Sequence, residues 1–208
     1  MTSIIERIHG RFVHTRRDRR LRELLATLIP PNAHVLDVGC GDGLLAKMIL
    51  AQRPDVHLTG IDVLVRDNSH IPVQYFDGKT IPHPDSSIDV ILFVDVLHHT
   101  DDPTILLKEA VRVSRGSVLI KDHTMNGLFA RATLRFMDEI GNRRHGVALP
   151  YNYWTRQQWM HAIGLLHLNI ATWIDRLRLY PVPADWIFGR SLHFIAKLDV
   201  HRAMEKPR

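Results

Sequence analysis

The stretch that most constrains this chain is Val35-Leu36-Asp37-Val38-Gly39-Cys40-Gly41-Asp42-Gly43. Its apolar first half reads as a short strand buried on both faces, the habit of a parallel strand inside a sheet. Three glycines at every second position follow, and Leu44 to Ala51 read as a helix starting directly behind them. Glycine reaches φ > 0 at little cost and, without a Cβ, lets a ligand lie against the main chain. A strand, a tight turn and a helix also aim unpaired helix N–H groups at whatever rests on the turn, which suits a carboxylate or phosphate. The competing dinucleotide turn has the pattern G-x-G-x-x-G. Here Leu44 stands where its third glycine belongs.

The rest of the chain alternates strands and helices around that unit. Residues 1–30 read as helical, with Leu21, Leu24, Leu25, Leu28 and Ile29 on one face and Pro30-Pro31 as the stop. Arg16, Arg17, Arg19 and Arg20 then form a basic face exposed to solvent or to an anion, either a membrane surface or an acidic acceptor. No aromatic residues alternate with these arginines, which argues against a base-stacking nucleic-acid surface. Val56 to Asp62 reads as the second strand. An acid at its end, about 20 residues past the turn, can accept hydrogen bonds from both ribose hydroxyls. Nicotinamide enzymes also place an acid there, so Asp62 indicates a nucleoside and not which one.

Ile71 to Phe76 is the expected third strand, followed by Asp77-Gly78, which is either a ligand contact or a plain turn. Ile88 to Val94 has the nearly continuous apolar character of a central strand. Asp102 and Pro103 suit the cap and first position of a helix over Thr104–Ser114. Gly116 to Asp122 is the fifth strand, running into His123. Ligands of open α/β sheets sit outside the carboxyl ends of the strands. Asp95, His98, His99, Asp122 and His123 are therefore expected around one mouth.

Two stretches carry a family resemblance. The glycine nonapeptide resembles the first motif of the class I S-adenosylmethionine (SAM) dependent methyltransferases. The passage from Pro84 to Pro103, with Asp95-Val96-Leu97-His98-His99 at its centre, resembles the fourth motif of their type 11 small-molecule group. The likeness covers residues 33–125 well and the remainder in outline. It implies a Rossmann-like α/β fold: seven strands, mostly parallel, an antiparallel last strand, and helices on both faces. One domain would span 1–208, with 1–30 as a helical extension and 124–154 as an insertion covering the acceptor. Asp37, Gly39 and Gly41 would hold the methionine end of SAM, Asp62 the ribose, Asp77 with Gly78 the adenine, and Asp95 the region near the sulfonium. The implied activity is methyl transfer to a small organic acceptor, at oxygen with a histidine base, with nitrogen and carbon as the alternative acceptor atoms. His123 is the first candidate for that base, and His98 and His99 are candidates that also suit a structural role in the loop. A non-catalytic SAM-binding protein and a nicotinamide-dependent oxidoreductase remain as alternatives.

Past Asn126, residues Phe129, Ala132, Phe136, Met137 and Ile140 make an apolar helical stripe, with Arg131, Arg135 and Glu139 at i, i+4 and i+8. A long loop, 141–154, follows, and long ordered loops are commonly lids. Asn142, His145, Tyr151, Asn152 and Tyr153 are its candidates for lining an acceptor pocket. Thr155 caps a helix over Arg156–Ile163, Leu165–Ile174 and Ser191–Leu198 read as the last strands, and Tyr180–Trp186 is a turn-rich crossing.

Composition narrows the setting. At 208 residues the chain suits one domain with a real core. Cys40 is the single cysteine, so no disulfide forms within the chain and a reducing cytoplasm is the expected setting. No apolar run approaches the roughly 20 residues of a membrane span, and the N-terminal arginines interrupt any secretory leader. The net charge of +5 favours anionic partners without identifying one. No metal is expected: H-E-x-x-H and Cys/His ligand sets are lacking, and adjacent His98 and His99 are poorly placed for one ion.

Overall fold

Strand β1 (His34–Val38) is buried from Val35 onward and pairs in parallel on both sides. Its neighbours are β2 (His57–Asp62) and β4 (Ile88–Val94). In the computed structural model, which describes residues 4–142, 150–189 and 191–201 and side chains over 16–140, 150–189 and 191–201, β1 sits inside a seven-stranded sheet. The outer strands on one side are β2 and the short β3 (Val73–Tyr75), with β3 at the edge. On the other side β4 pairs with β5 (Ser114–His123), which pairs antiparallel with β7 (His193–Val200). β6 (Leu168–Ile174) closes that edge, antiparallel to β7. The order is β3-β2-β1-β4-β5-β7-β6, the arrangement implied by the resemblance.

Two apolar layers hold the sheet. Strand side chains alternate between faces, and the core divides accordingly. Val35, Leu58, Val90, Leu92, Leu119 and Ile195 meet Leu21, Leu25 and Ile29 of the α1 (Ile4–Leu28) side and Ala46 and Ile49 of α2 (Leu44–Gln52). Leu36, Ile91, Phe93, Ile120 and Phe194 meet α3 (Pro103–Val113) and α5 (Arg156–Leu165), the latter through Trp159 and Ile163. Each fully buried Leu, Ile or Phe contributes about 1.5–3 kcal/mol relative to exposure. Continuous apolar strands are stable here because both faces are covered. Asp102 caps α3 by accepting from the Thr104 N–H with Pro103 at the first position. Thr155 and Gln158 form a capping box on α5.

Three expectations need correction. The third strand is shorter than Ile71–Phe76, since only Val73–Tyr75 pair with β2. The crossing at Tyr180–Trp186 contains the start of a short helix, α6 (Ala184–Phe188). The strand expected over Leu165–Ile174 begins only at Leu168, because Leu165 ends α5. On α4 (Ala130–Asn142), Ala130, Leu134 and Asp138 point inward, while Phe136 and Ile140, and Phe129 just ahead of the helix, are exposed. Residues 143–149, including His145, and the side chain of Asn142 lie outside the described residues. No helix among the described residues is long and apolar enough to cross a membrane.

Candidate active site

The glycine turn forms the floor of a cleft of about 490 Å³ at the carboxyl ends of β1, β2 and β4. Gly39 has φ 74° and Gly43 φ 74°, a region that costs a residue with a Cβ roughly 1–2 kcal/mol. A Cβ on Gly39 would also lie 2.6 Å from Val96 Cγ2, and one on Gly43 2.4 Å from Ile71 Cγ1. Sequence and packing thus impose the same requirement. Cys40 Sγ would sit 2.4 Å from a Cβ on Gly60, and burial pushes its thiol pKa up. It acts as a small packing residue beneath the turn, not as a nucleophile.

Asp62, at the end of β2, accepts from the Gly41 N–H through Oδ2 at 2.8 Å and from the Leu64 N–H through Oδ1 at 2.8 Å. A carboxylate has about four acceptor sites, so Asp62 pins the turn and still presents lone pairs to the cleft it lines. Asp77 also lines the cleft, beside Gly78. Its Oδ1 accepts from the N–H groups of Lys79 and Thr80, so turn residue and cleft residue describe the same side chain. Asp37 is 4% exposed, and its Oδ1 has no hydrogen-bond partner among the described residues. Burial, reinforced by nearby Asp62, raises its pKa to about 7. A buried acceptor without a donor is costly, and a cationic ammonium is a ligand group that would satisfy it. The glycine cradle, the orphaned Asp37 oxygen and the Asp62 carboxylate fit the amino-acid end and ribose of SAM.

At the far end of the cleft the chemistry changes character. Asp95, with φ 56°, follows β4 and is ion-paired with Lys121 of β5 and with Arg17 of α1. Lys121 lies on the same face of the sheet as Leu119, beneath α1, which is why Arg17 and Lys121 reach one carboxylate. Burial would raise the Asp95 pKa, but Lys121 and Arg17 hold it well below the usual carboxylate range. Asp122, on the opposite face, is fully buried. It accepts from His98 Nδ1 at 2.6 Å, from the Leu97 N–H at 3.0 Å and from the His123 N–H at 2.7 Å. Burial works against the charge on His98, yet Asp122 holds its pKa above the ordinary value. His98 Nε2 lies 3.5 Å from Asp138 Oδ2 of α4, and Asp138 accepts from the Tyr153 hydroxyl.

The three histidine candidates are brought together but are not equivalent. His98 and His123 have their Nδ1 atoms 3.3 Å apart, and the His98 and His99 rings are 4.0 Å apart. His123 is buried against His98, His193, Asp95 and Asp122 and does not line the cleft, contrary to the expectation that it faces the crevice. The antiparallel register places it opposite His193, and burial followed by the charge on His98 lowers its pKa. His99 does line the cleft. Burial, then the charge on His98, pulls its pKa down to about 4. Its buried Nδ1 has no hydrogen-bond partner among the described residues.

Asp95, His98, Asp122 and His123 also bring ligand-type atoms within 4.8 Å of one another. Lys121 and Arg17 already neutralise Asp95, and three N–H groups occupy Asp122. A cation there would have to displace an ammonium. Arg17 and Arg20 are likewise not on an outward basic face: Arg17 holds Asp95, and Arg20 Nε donates to the Leu177 carbonyl at 3.2 Å. Asn152 Nδ2 donates to the carbonyls of Thr100 and Asp101 at 3.1 and 3.0 Å, tying 150–154 to the histidine loop. Lys121, Asp138 and His193 carry no motif signal, and Arg17 shows only as part of a basic run, because each joins the site only through strands or helices distant in sequence.

A family described as Methyltransferase domain matches residues 11–168. Among curated relatives, 27-O-demethylrifamycin SV methyltransferase of Amycolatopsis mediterranei is 32% identical over 111 residues, covering 46% of this chain and 40% of that protein. The 2-methyl-6-phytyl-1,4-hydroquinone methyltransferase of Synechocystis is 26% identical over 152 residues, covering 64% and 42%. The chain spans less than half the length of these relatives. A solved geranyl diphosphate methyltransferase in complex with SAM shares the fold, with a TM-score of 0.65 at 15% identity, covering 87% of this chain and 84% of that one. So does the methyltransferase solved with the Haloferax volcanii Trm112 activator, with a TM-score of 0.65 at 15% identity over 92% and 93%. With the glycine turn, the strand-end acids and the seven-stranded sheet all in place, the chain belongs to the class I SAM-dependent methyltransferases.

Proposed function

We propose that the chain transfers the methyl group of SAM to an oxygen of a small organic acceptor. The observation that carries this reading is the cleft itself, whose floor is made by Gly39, Gly41 and Asp62, with the orphaned Asp37 oxygen buried at the end of β1 just before that turn. Bound SAM supplies an electrophilic sulfonium methyl for in-line displacement. The protein's part is then to orient the acceptor and exclude water. Asp37 and the backbone of Gly39 and Gly41 hold the amino-acid end, Asp62 the ribose, and Asp77 with Gly78 the adenine. Asp95 closes the sulfonium end, and residues 124–154 cover the acceptor.

His99 is the base in this reading, since it borders the cleft and stays neutral above about pH 4 with an unpartnered ring nitrogen. So weak a base serves an acidic hydroxyl, such as a phenol, better than an aliphatic alcohol. His98, fixed by Asp122, and His123 behind it are positioning residues for the loop that carries His99. Small organic acceptors, a demethylrifamycin and a phytyl hydroquinone, stand in the names of the two relatives above, which supports the acceptor class.

The test is calorimetric titration with S-adenosylhomocysteine beside NADH, repeated on Asp62→Ala. Binding of the thioether alone, weakened at least tenfold in the variant, is the expected result. Binding of NADH in its place would replace the reading with a nicotinamide-dependent oxidoreductase.

A further inference from the structure

We propose that the outward face of α4 and α6 docks onto an anionic lipid bilayer. α4 keeps its small and polar residues, Ala130, Leu134 and Asp138, for the protein interior and turns large apolar side chains out. Phe129 is 70% exposed, Phe136 54% and Ile140 61%. α6 continues this surface: the Phe136 and Phe188 rings stack with centroids 6.4 Å apart, and beside Phe188 stand Trp186, 72% exposed, and Ile187, 54% exposed. Covering such side chains removes apolar surface from water, which is favourable. Five of them on adjoining helices therefore form a surface built to be covered by something apolar.

Charge selects the occupant. Arg131 and Arg135 run along the polar edge of α4, and Arg176 and Arg178 are exposed on the strap that leads to α6. The acids of these helices offset them only in part, since Glu139 pairs with Arg135 alone. Asp138 is buried in the network, Asp185 accepts from the Tyr180 N–H at 3.2 Å, and Glu139 lies 3.9 Å from Arg135. Aromatic and aliphatic side chains rimmed by arginines are the composition of a surface-lying membrane element. Each basic residue near an anionic leaflet strengthens partitioning about fivefold. A second copy of this chain would bring the same positive rim against its own, which opposes self-association through this face.

The position gives the surface a use. α4 follows β5 directly, and its inward Asp138 reaches Tyr153 and His98. The helix that touches the histidine network on one side thus presents its apolar side to the bilayer, bringing the acceptor end of the sheet to the lipid interface. Docking depends on this surface alone and holds whatever the methyl acceptor is.

The test is co-sedimentation of the full chain with vesicles of phosphatidylcholine alone or containing phosphatidylglycerol, with tryptophan fluorescence read in parallel. Wild-type protein should sediment with the anionic vesicles and release with salt. Trp186, the one fully outward tryptophan among the described residues, should shift to the blue and be quenched by brominated lipid. Phe129→Ser with Trp186→Ser should lower partitioning on the order of tenfold or more. Arg131→Gln with Arg135→Gln should lower it on the order of tenfold while leaving the apolar face intact, and Arg16→Gln with Arg19→Gln should lower it far less. Melting temperatures verify that the variants fold. Failure of the wild type to sediment with anionic vesicles would overturn the proposal. So would unchanged partitioning in the Arg131/Arg135 variant, or a concentration-dependent dimer abolished by the apolar pair of substitutions.

Discussion

The two halves of the sheet hold their functional groups in opposite ways. Around β1 and β2 the cleft is made by main chain: three glycines at positive φ, and Asp62 braced by the N–H groups of Gly41 and Leu64. Around β4, β5 and β7 the groups are held by side chains behind the cleft, a buried chain of charge from Arg17 through Asp95 and Lys121, and from Asp122 through His98 to Asp138, of which only Asp95 lines the cleft. The first half is most sensitive to atoms added to its backbone, since its glycines leave no room for a Cβ. The second depends on each member keeping its partner, because a buried charge left unpaired in a low-dielectric setting is costly.

The sharpest way to break that contrast is Asp95→Ala. It strands Lys121, which is fully buried, and should cost about 3–5 kcal/mol in urea unfolding. A loss below about 1 kcal/mol would mean that the network is not what holds this half together.

Gly39→Ala should act in the other half and in another currency. The added methyl meets Val96 at 2.6 Å on a backbone at φ 74°. Cofactor affinity, read by titration with S-adenosylhomocysteine, should fall at least about a hundredfold, equivalent to roughly 3 kcal/mol. Stability should fall by about 1–2 kcal/mol, the cost of positive φ for a residue with a Cβ. Equal losses in both would erase the distinction between a ligand-shaped backbone and a structural one.

The smallest effect concerns protons. Asp37 has its pKa raised from 3.8 to about 7. Between those values the folded state binds more protons than the unfolded one, so Asp37 makes stability decline as pH rises through that window. The ammonium group of a ligand's amino-acid end prefers the ionised form. S-adenosylhomocysteine should therefore bind roughly tenfold more tightly at pH 7.5 than at pH 6, and Asp37→Asn should bind weakly with a flat profile. A slope surviving in the variant would assign the proton to another group.

The contrast also explains what was legible in the chain. The glycine turn, the position of Asp62 at the end of the second strand and the fourth strand all read correctly from local pattern, and Ile88–Val94 is the strand observed. The α4 stripe marks the limit of such patterns, because periodicity shows that a helix has an apolar flank, not which flank the domain covers. Asp138 faces inward only because Tyr153 and His98 await it there. His123 looked like a crevice residue because it ends β5, but the strand pairs it with His193, behind the cleft.

The sequence by itself determined the alternation of strands and helices, the tight turn and the acids at the strand ends, because each rests on contacts within a few residues and on the steric properties of glycine. Only the tertiary structure decided which charges meet. Arg17 and Asp95 are 78 positions apart, and Lys121 and His193 are 72. Their pairing follows from strand order and from which face of β5 lies under α1, quantities set by the packing of the whole sheet.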